Sequence, residues 1–576
     1  MITHINSNKP HTKSWIINPK KITELFNKKL NLPLHLKWFS FHAIYIALII
    51  CFTSLTTSCN NTKIKEISRD TSITSITSFN NLFFDSAQLQ SFLDNQPNFK
   101  KFASQYSDFY KQRNYEYAWF DSTGITEQAA NLMNLLNNSI AHLQDSSLFN
   151  KQLNENYQKI IQSKNHITKQ TILLTELLLT GEFFTYAAQN YSGSDIDAAS
   201  LGWFIPRKKV NLTALLDSTI KYKNAGPYIP LNNQYNLLED YLEKYIKLQK
   251  TYPTDTIPYP KQLLKLKAES PIITDIKNRL NLLGDMTVND STEMFDSTLY
   301  AGVKHFQKRM GLLEDGVIGK NLIEQLNVPI AERIKQILIN LERIRWMPAE
   351  SDSNYVLVNI PEYKLHVFAN GKELFNMNVI VGKTTNNTVI FNGKLKYIVF
   401  SPYWNVPPSI VQKEILPGIK KDPNYLAKNN MEITGTSNGL PVVRQRPGPK
   451  NSLGLVKFLF PNNFDIYLHD TPNHELFDAT TRTFSHGCIR ISNPKKFAQY
   501  LLSADTATIY TSKVIDSLMH LPKEKWVTLN TPINVYIVYF TAWVDANGQL
   551  NFRKDIYRHD AKMKEKLFTK EEKPNF

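Results

Sequence analysis

The sequence predicts an α+β multidomain protein, with helices in its first half and mainly β-strands in its second half. From Leu82 to about Gln249, apolar residues recur at i, i+3 and i+4, the spacing of helices that pack in a bundle. The segment Thr251–Pro260 contains three prolines, which exclude a helix interior and predict a linker. After Trp346 the apolar period changes to that of strands. We therefore place a helical scaffold domain at residues 81–260.

The first 60 residues predict an export signal or a membrane anchor. Residues 1–37 are basic, and the run from Trp38 to Leu55 is apolar without formal charge. The following Thr-Thr-Ser leads to Cys59 and loosely resembles a lipobox, which makes Cys59 a candidate for lipidation. An uncleaved anchor and a cleaved soluble signal are the alternatives. All three predict an exported, periplasmic chain, membrane-anchored in the first two cases, and residues 61–80, rich in Thr, Ser and Asn, predict a tether.

Residues 268–330 predict a small three-helix domain. The predicted helices are Ile272–Leu283, Ser297–Met310 and Asn321–Leu326. A tight turn, Asp315-Gly316-Val317-Ile318-Gly319, lies between the last two helices. This order of parts, together with His305-Phe306-Gln307, resembles the small peptidoglycan-binding domain of bacterial wall enzymes. The resemblance implies a spacer or a binding module for peptidoglycan.

Residues 335–515 predict a mainly β domain. Asn370-Gly371 is a strong hairpin signal between two of its strands. The predicted strands are Tyr355–Ile360, Lys364–Ala369, Asn376–Val381 and Leu395–Phe400. Residues 516–576 are predicted to be a C-terminal extension that packs on the scaffold or on the β domain.

The net charge of +16 is spread along the chain and favours an anionic environment. A membrane surface, a cell-wall polymer and nucleic acid all satisfy this condition. The sequence has no zinc-finger spacing and no RNA-recognition signature, so nucleic acid is not predicted as a partner.

Cys488 is the single thiol of the globular part, because Cys51 and Cys59 belong to the N-terminal segment. This count excludes a disulfide framework. One Cys with two or three His is also too small a ligand set for a zinc site, so we predict no metal. A lone Cys near histidines is either a nucleophile or a buried structural residue.

The stretch Ser485-His486-Gly487-Cys488-Ile489-Arg490 has the chemistry of a nucleophile site. A cysteine attacks a carbonyl as the thiolate, so it requires a base. The alternation before His469 predicts that this residue ends a strand, from which the chain can return to Cys488. His486 is the alternative base. Backbone N–H groups around Gly487 and Cys488 could form an oxyanion hole, and Arg490 could hold a carboxylate.

The order His469, a spacer, then Ser-His-Gly-Cys-Ile-Arg is similar to the signature of the L,D-transpeptidase (YkuD) family. The stretches Asn405–Ile410, Arg444–Gly454 and Tyr539–Asp545 resemble the larger YcbB-type enzymes of that family. The resemblance implies a helical scaffold, a peptidoglycan-binding domain and a mainly β catalytic domain. It also implies a cap inserted in the catalytic domain at about residues 407–457.

The resemblance further implies the reaction and the roles of residues. Cys488 would be the nucleophile, His469 the general acid/base, and Gly487 part of the oxyanion hole, with no cofactor. The enzyme would join tetrapeptide stems of peptidoglycan by 3–3 cross-links and release D-Ala, next to other wall-synthesis enzymes. An L,D-carboxypeptidase, a lipoprotein-attaching enzyme and a non-catalytic peptidoglycan-binding protein remain alternatives. The predicted substrate-binding residues are Arg490, His486, Ser485, Tyr467, Trp404 and Asn405.

Overall fold

The computed structural model describes residues 82–143, 148–162, 167–194, 196–207, 209–222, 233–288, 290–348, 354–504 and 508–568. The predicted export signal or anchor, the tether and Cys59 lie outside these ranges. Within them, no helix is long and apolar enough to cross a membrane. The predicted α+β multidomain class is confirmed: the first half of the described chain is helical, and a large β-sheet dominates the second half.

The scaffold domain is a bundle with a core of aromatic and leucine side chains. Helix α5 is surrounded by the bundle, and its buried Glu176 accepts the N–H groups of Ala118 and Trp119 at 2.7 and 2.9 Å. Burial raises the pKa of this carboxyl to about 7. The elements are α1 (Ser86–Asn95), α2 (Ala103–Gln112), β1 (Phe120–Asp121), β2 (Gly124–Ile125), α3 (Glu127–Leu143), α4 (Lys151–Gln162), α5 (Lys169–Ala187), α6 (Leu212–Tyr222) and α7 (Asn233–Gln249).

The three predicted helices of the next domain lie where the periodicity places them, to within one residue. They are α8 (Ile272–Leu282), α9 (Ser297–Met310) and α10 (Lys320–Leu326), and α11 (Ile330–Trp346) follows. The Asp296 side chain caps the first turn of α9, and Gly311 ends that helix in the left-handed conformation. The apolar faces of these helices share one core with α7 and with the hairpin of residues 542–552.

The rest of the chain contains most of the strands. They are β3 (Asn354–Asn359), β4 (Lys364–Ala369), β5 (Lys372–Gly382), β6 (Phe391–Phe400), β7 (Trp404–Asn405), β8 (Met431–Ser437), β9 (Leu440–Gln445), β10 (Val456–Leu459), β11 (Leu468–His469), β12 (Thr483–Ser485), β13 (Ile489–Ile491), β14 (Lys525–Val538), β15 (Ala542–Val544) and β16 (Leu550–Phe552). The helices are α12 (Pro408–Ile410), α13 (Leu416–Lys421), α14 (Tyr425–Lys428), α15 (Pro494–Leu502), α16 (Ser512–Met519) and α17 (His559–Leu567).

Nine strands form one sheet in the order β12-β5-β13-β11-β10-β6-β14-β3-β4. The first part of β5 pairs with β4 and its end pairs with β13, so the sheet closes on itself. The side chains on its inner face are fully buried aliphatic and aromatic residues. This closure brings β11, β13 and the end of β5 together at one place, where the motif lies.

The sheet continues beyond residue 515, into the segment that the sequence predicts to be a C-terminal extension. Strand β14 lies inside the sheet, antiparallel to β6 and parallel to β3. Its buried face, Ile533, Val535 and Ile537, completes the core. Residues 525–538, within the predicted C-terminal extension, are therefore a central strand of this sheet. The β15–β16 hairpin packs outside the sheet, against α7, α9 and α11, and α17 also lies outside it, bonded to α11 through Arg343–Asp560.

The insert between β6 and β10 is a folded subdomain. Its sheet has the order β7-β9-β8, and its apolar cluster consists of Val406, Val411, Ile415 and Val443. This cluster gives the insert a small apolar core of its own. Strand β10 of the main sheet begins at Val456, next to the predicted end of the cap at about residue 457.

His366 on β4 is largely buried between two carboxylates, with Nε2 3.0 Å from Glu362 and Nδ1 3.3 Å from Glu373. Burial acts to lower the pKa of His366, but the two carboxylates raise it to about 10. The contribution of protonated His366 to the folding free energy is therefore complete below pH ~6.5, the pKa of an unfolded His. This contribution is lost as the pH rises toward 10. We expect the melting temperature to fall between pH 7 and pH 10 by more in the wild type than in His366→Gln. Equal falls in both proteins would contradict this.

Candidate active site

Two short parallel strands bring the histidine and the thiol together. In the β11–β13 pair, Leu468 lies opposite Ile489 and His469 lies opposite Arg490. The Ile489 N–H donates to the Tyr467 carbonyl at 3.1 Å, which continues the pairing toward Cys488. Residues that lie opposite each other on paired strands share a face of the sheet, and so do residues two apart along one strand. Tyr467, His469, Cys488 and Arg490 therefore lie on one face, although Cys488 comes 19 positions after His469 in the sequence.

The Cys488 thiol is mostly buried and is hydrogen-bonded in this structure. Its Sγ lies 3.5 Å from the Asp465 carbonyl oxygen, to which it donates. Burial raises the pKa of the Cys488 thiol, while hydrogen bonds from Tyr467 oppose the rise. The Tyr467 hydroxyl is itself held protonated, because burial and the neighbouring thiol raise its pKa. At neutral pH the sulfur is therefore a thiol and not a preformed thiolate.

His469 is a buried, neutral imidazole. Its Nδ1 lies 2.5 Å from the Asp470 carbonyl oxygen, and the Leu453 carbonyl is a second backbone acceptor. Burial, followed by the positive charge of Arg490, lowers the pKa of His469 to about 3. Because Nδ1 donates to a carbonyl, Nε2 carries the lone pair. A neutral ring in this tautomer can accept a proton from a thiol.

The turn before Cys488 is held by hydrogen bonds between the Ser485 hydroxyl and the backbone of the turn. Ser485 Oγ donates to the Cys488 carbonyl at 2.5 Å and accepts the Gly487 N–H at 3.2 Å. Gly487 has a φ of +120°, which L side chains rarely adopt. The Cys488 N–H has no acceptor among the described residues. Of the two predicted oxyanion donors, the Gly487 N–H is engaged and the Cys488 N–H is free.

Four other predicted site residues are Arg490, His486, Trp404 and Asn405. Arg490 stands beside the thiol and the imidazole, and its Nε has no partner among the described residues. His486 is half-exposed, and its Nε2 lies 3.3 Å from the Glu414 carboxylate of the cap. Trp404 and Asn405 form β7 at the base of the cap, paired with β9, and Trp404 packs against the apolar cluster of the cap. They remain predicted substrate contacts.

Sequence reasoning missed three groups around the turn. The Asp465 and Leu453 carbonyls bind the thiol and the imidazole, and the Thr388 hydroxyl donates to the Gly487 carbonyl at 2.8 Å. Backbone carbonyls leave no signal in a sequence, and Thr388 lies in no motif. Within the described residues, no group of three His, Cys, Asp or Glu side chains could hold a metal ion.

A thiol and a neutral imidazole on one face, with a backbone N–H that has no acceptor among the described residues, are the groups that thiol-dependent acyl transfer requires. Residues 353–515 match the L,D-transpeptidase catalytic domain (YkuD). Residues 104–242 match a scaffold domain, and residues 269–326 match a peptidoglycan binding domain. The chain therefore carries a catalytic domain of the L,D-transpeptidase family, together with scaffold and peptidoglycan-binding domains.

A Haemophilus influenzae protein that is named among the L,D-transpeptidases is 32% identical over 242 residues, 39% of this chain. The match spans about half the length of that relative, 48%. An L,D-transpeptidase from Stackebrandtia nassauensis is 15% identical, with 50% of this chain and 97% of that chain covered and a TM-score of 0.20. One from Mycobacterium smegmatis is 14% identical, with coverages of 32% and 58% and a TM-score of 0.18. These TM-scores are too low to carry an argument.

Proposed function

We propose that this protein is a peptidoglycan L,D-transpeptidase that forms 3–3 cross-links through an acyl-enzyme on Cys488. The observation that carries the proposal is the face shared by the Cys488 thiol and the neutral His469 imidazole, next to a Cys488 N–H that has no acceptor among the described residues. The match to a peptidoglycan binding domain supports a wall polymer as the substrate. Other wall-synthesis enzymes, which would supply the tetrapeptide stems, are proposed partners.

In the first step, Cys488 Sγ attacks the carbonyl of the third stem residue. The thiol turns away from the Asp465 carbonyl, and its proton passes to His469 Nε2. The developing oxyanion accepts the Cys488 N–H. Collapse of the tetrahedral intermediate breaks the C–N bond to the terminal D-Ala, whose amine takes the proton from His469. The products are a thioester on Cys488 and free D-Ala.

In the second step, an amine from another stem attacks the thioester, and His469, neutral again, accepts the proton of that amine. Collapse of the tetrahedral intermediate forms the new amide and breaks the C–S bond, and His469 returns the proton to the leaving sulfur, so that Cys488 is a thiol and His469 is neutral again. The 3.3 Å contact between Glu414 of the cap and His486, two residues before Cys488, supports a cap that borders the proposed site. Arg490, with its free Nε, is proposed to hold a substrate carboxylate.

Incubation of the full-length protein with tetrapeptide-bearing muropeptides tests the proposal. We expect the wild type to release D-Ala and to form 3–3 dimers, read by mass spectrometry, and Cys488→Ser to lose both activities by roughly a thousandfold or more. Thr385→Val, on an exposed loop, serves as the matched control. Release of D-Ala without dimers would indicate an L,D-carboxypeptidase. Cleavage between L-residues, or equal activity in Cys488→Ser, would overturn the proposal.

We further propose that the protein acts outside the cytoplasm, attached to a membrane through its N-terminal segment. The support is the basic stretch followed by the apolar run that ends near Cys59. Metabolic labelling with a fatty acid is expected to mark the wild type and not Cys59→Ser. Equal labelling of both proteins would exclude lipidation at Cys59.

A further inference from the structure

We propose that Thr388 is a positioning residue that aims the Cys488 N–H at the oxyanion, and that Tyr557 holds Thr388 in place. Thr388 lies in residues 383–390, between β5 and β6, and Tyr557 lies in the C-terminal segment after β16. Neither belongs to the motif. The inference rests on the proposed function, because it concerns the acylation of Cys488.

The Thr388 hydroxyl is buried and uses both of its hydrogen-bonding capacities. Its Oγ1 donates to the Gly487 carbonyl at 2.8 Å and accepts the Gly382 N–H at 2.9 Å. Thr388 is 1% exposed, so water does not replace either bond. The Gly487 carbonyl is thus fixed by a single side chain that is 99 residues away in the sequence.

The position of this carbonyl determines the direction of the catalytic N–H. The Gly487–Cys488 peptide bond is trans, as are all peptide bonds of the described chain. In a trans peptide the carbonyl and the following N–H point in opposite directions. A bond from Thr388 to the Gly487 carbonyl therefore turns the Cys488 N–H away from Thr388, where it has no acceptor among the described residues. Because Gly487 has no side chain to limit its rotation, this external bond is needed.

Tyr557 fixes the loop from the other side. Its hydroxyl donates to the Gly382 carbonyl and accepts the Thr388 N–H at 3.5 Å. The Tyr557 N–H donates in turn to the Tyr539 hydroxyl at 2.8 Å. The scaffold domain holds the far end of the same loop, since the Phe204 N–H donates to the Ile390 carbonyl at 2.8 Å. Three distant parts of the chain thus bond to the 383–390 loop: Gly487 and Tyr557 to Thr388, and Phe204 to Ile390.

Two reactions of Cys488 Sγ distinguish a misplaced Cys488 N–H from a change in the reactivity of the thiol itself. Acylation by a carbapenem passes through an oxyanion, whereas alkylation by iodoacetamide does not. We expect Thr388→Val to lower the carbapenem acylation rate by roughly 10- to 100-fold, below the effect of removing a donor outright. The alkylation rate of Cys488, read by peptide mass spectrometry, should stay within about twofold. Thr388→Ser restores the hydroxyl and should acylate at nearly the wild-type rate, as should the control Thr385→Val.

The inference is overturned if Thr388→Val acylates like the wild type, if both reactions slow equally, or if Thr388→Ser is as slow as Thr388→Val. If Thr388→Val does not fold, Tyr557→Phe decides, because it leaves Thr388 intact but frees its loop. Tyr557→Phe should also slow carbapenem acylation without slowing alkylation by iodoacetamide. An unchanged acylation rate in Tyr557→Phe would overturn the inference. A wild type that is acylated by the carbapenem but releases no D-Ala from muropeptides would refute the proposed function and leave this inference standing.

Discussion

Replacement of His469 by glutamine is expected to lower the rate of Cys488 acylation by roughly 10²- to 10⁴-fold at pH 7. Glutamine can still donate to the Asp470 carbonyl, as His469 Nδ1 does at 2.5 Å, so the packing is largely kept while the base is lost. Burial raises the pKa of Cys488, so the thiol does not ionise by itself at this pH. Stopped-flow measurement of carbapenem acylation, with the adduct confirmed by intact mass, gives the rate.

The pH dependence of the acylation rate should differ in form between the wild type and His469→Gln. Burial and the charge of Arg490 lower the pKa of His469 to about 3, so the wild-type base stays neutral from about pH 5 upward. With a neutral base and a neutral thiol, the wild-type rate should be flat between about pH 5 and 8. In His469→Gln only the thiolate reacts, and its rate should rise about tenfold per pH unit. A flat profile in the variant would contradict this assignment of the base.

His486→Gln is the matched control for the histidine assignment. His486 is half-exposed and faces Glu414 of the cap, and it does not lie on the buried face of His469. We expect its replacement to change the acylation rate by less than about tenfold. A large loss at His486 together with a small loss at His469 would reverse the two roles.

The candidate site was predictable to the extent that its chemistry lies in side-chain types at fixed spacing. Cys488, His469 and Arg490 were selected on these grounds, and the parallel pairing of β11 with β13 brings them to one face. The division between the two oxyanion donors was not predictable. It depends on Ser485 Oγ, which accepts the Gly487 N–H, and this contact follows from turn geometry that the sequence does not record.

The fold was predictable where local periodicity is strong, as in α8, α9 and α10. It was not predictable at β14, for a physical reason. Pro532 stands in the middle of that strand and argues against a central strand, because proline cannot donate to a ladder. In the structure the register shifts between Thr528 and Ile533, so Pro532 lies in an irregularity where no N–H is needed.

Truncation of the chain after residue 515, where the sequence places the end of the catalytic domain, is expected to abolish its folding. Strand β14 would be removed from between β6 and β3, which exposes two unpaired strand edges. Burial of one large apolar side chain contributes about 1.5–3 kcal/mol. Loss of Ile533, Val535, Ile537 and Val538 therefore removes about 6–12 kcal/mol, as much as the whole stability of a typical domain.

The measurement is the soluble fraction and the carbapenem adduct of the chain truncated after 515, compared with a chain truncated after 568. We expect the first to be insoluble and without adduct, and the second to behave like the full chain. A point variant separates loss of the strand from loss of the rest of the C-terminal region. Val535→Lys buries a charge on the inner face and should be insoluble as well, whereas Thr531→Lys, on the exposed irregular part of β14, should not. A soluble, acylated chain that ends at 515 would mean that β6 and β3 close the barrel without β14.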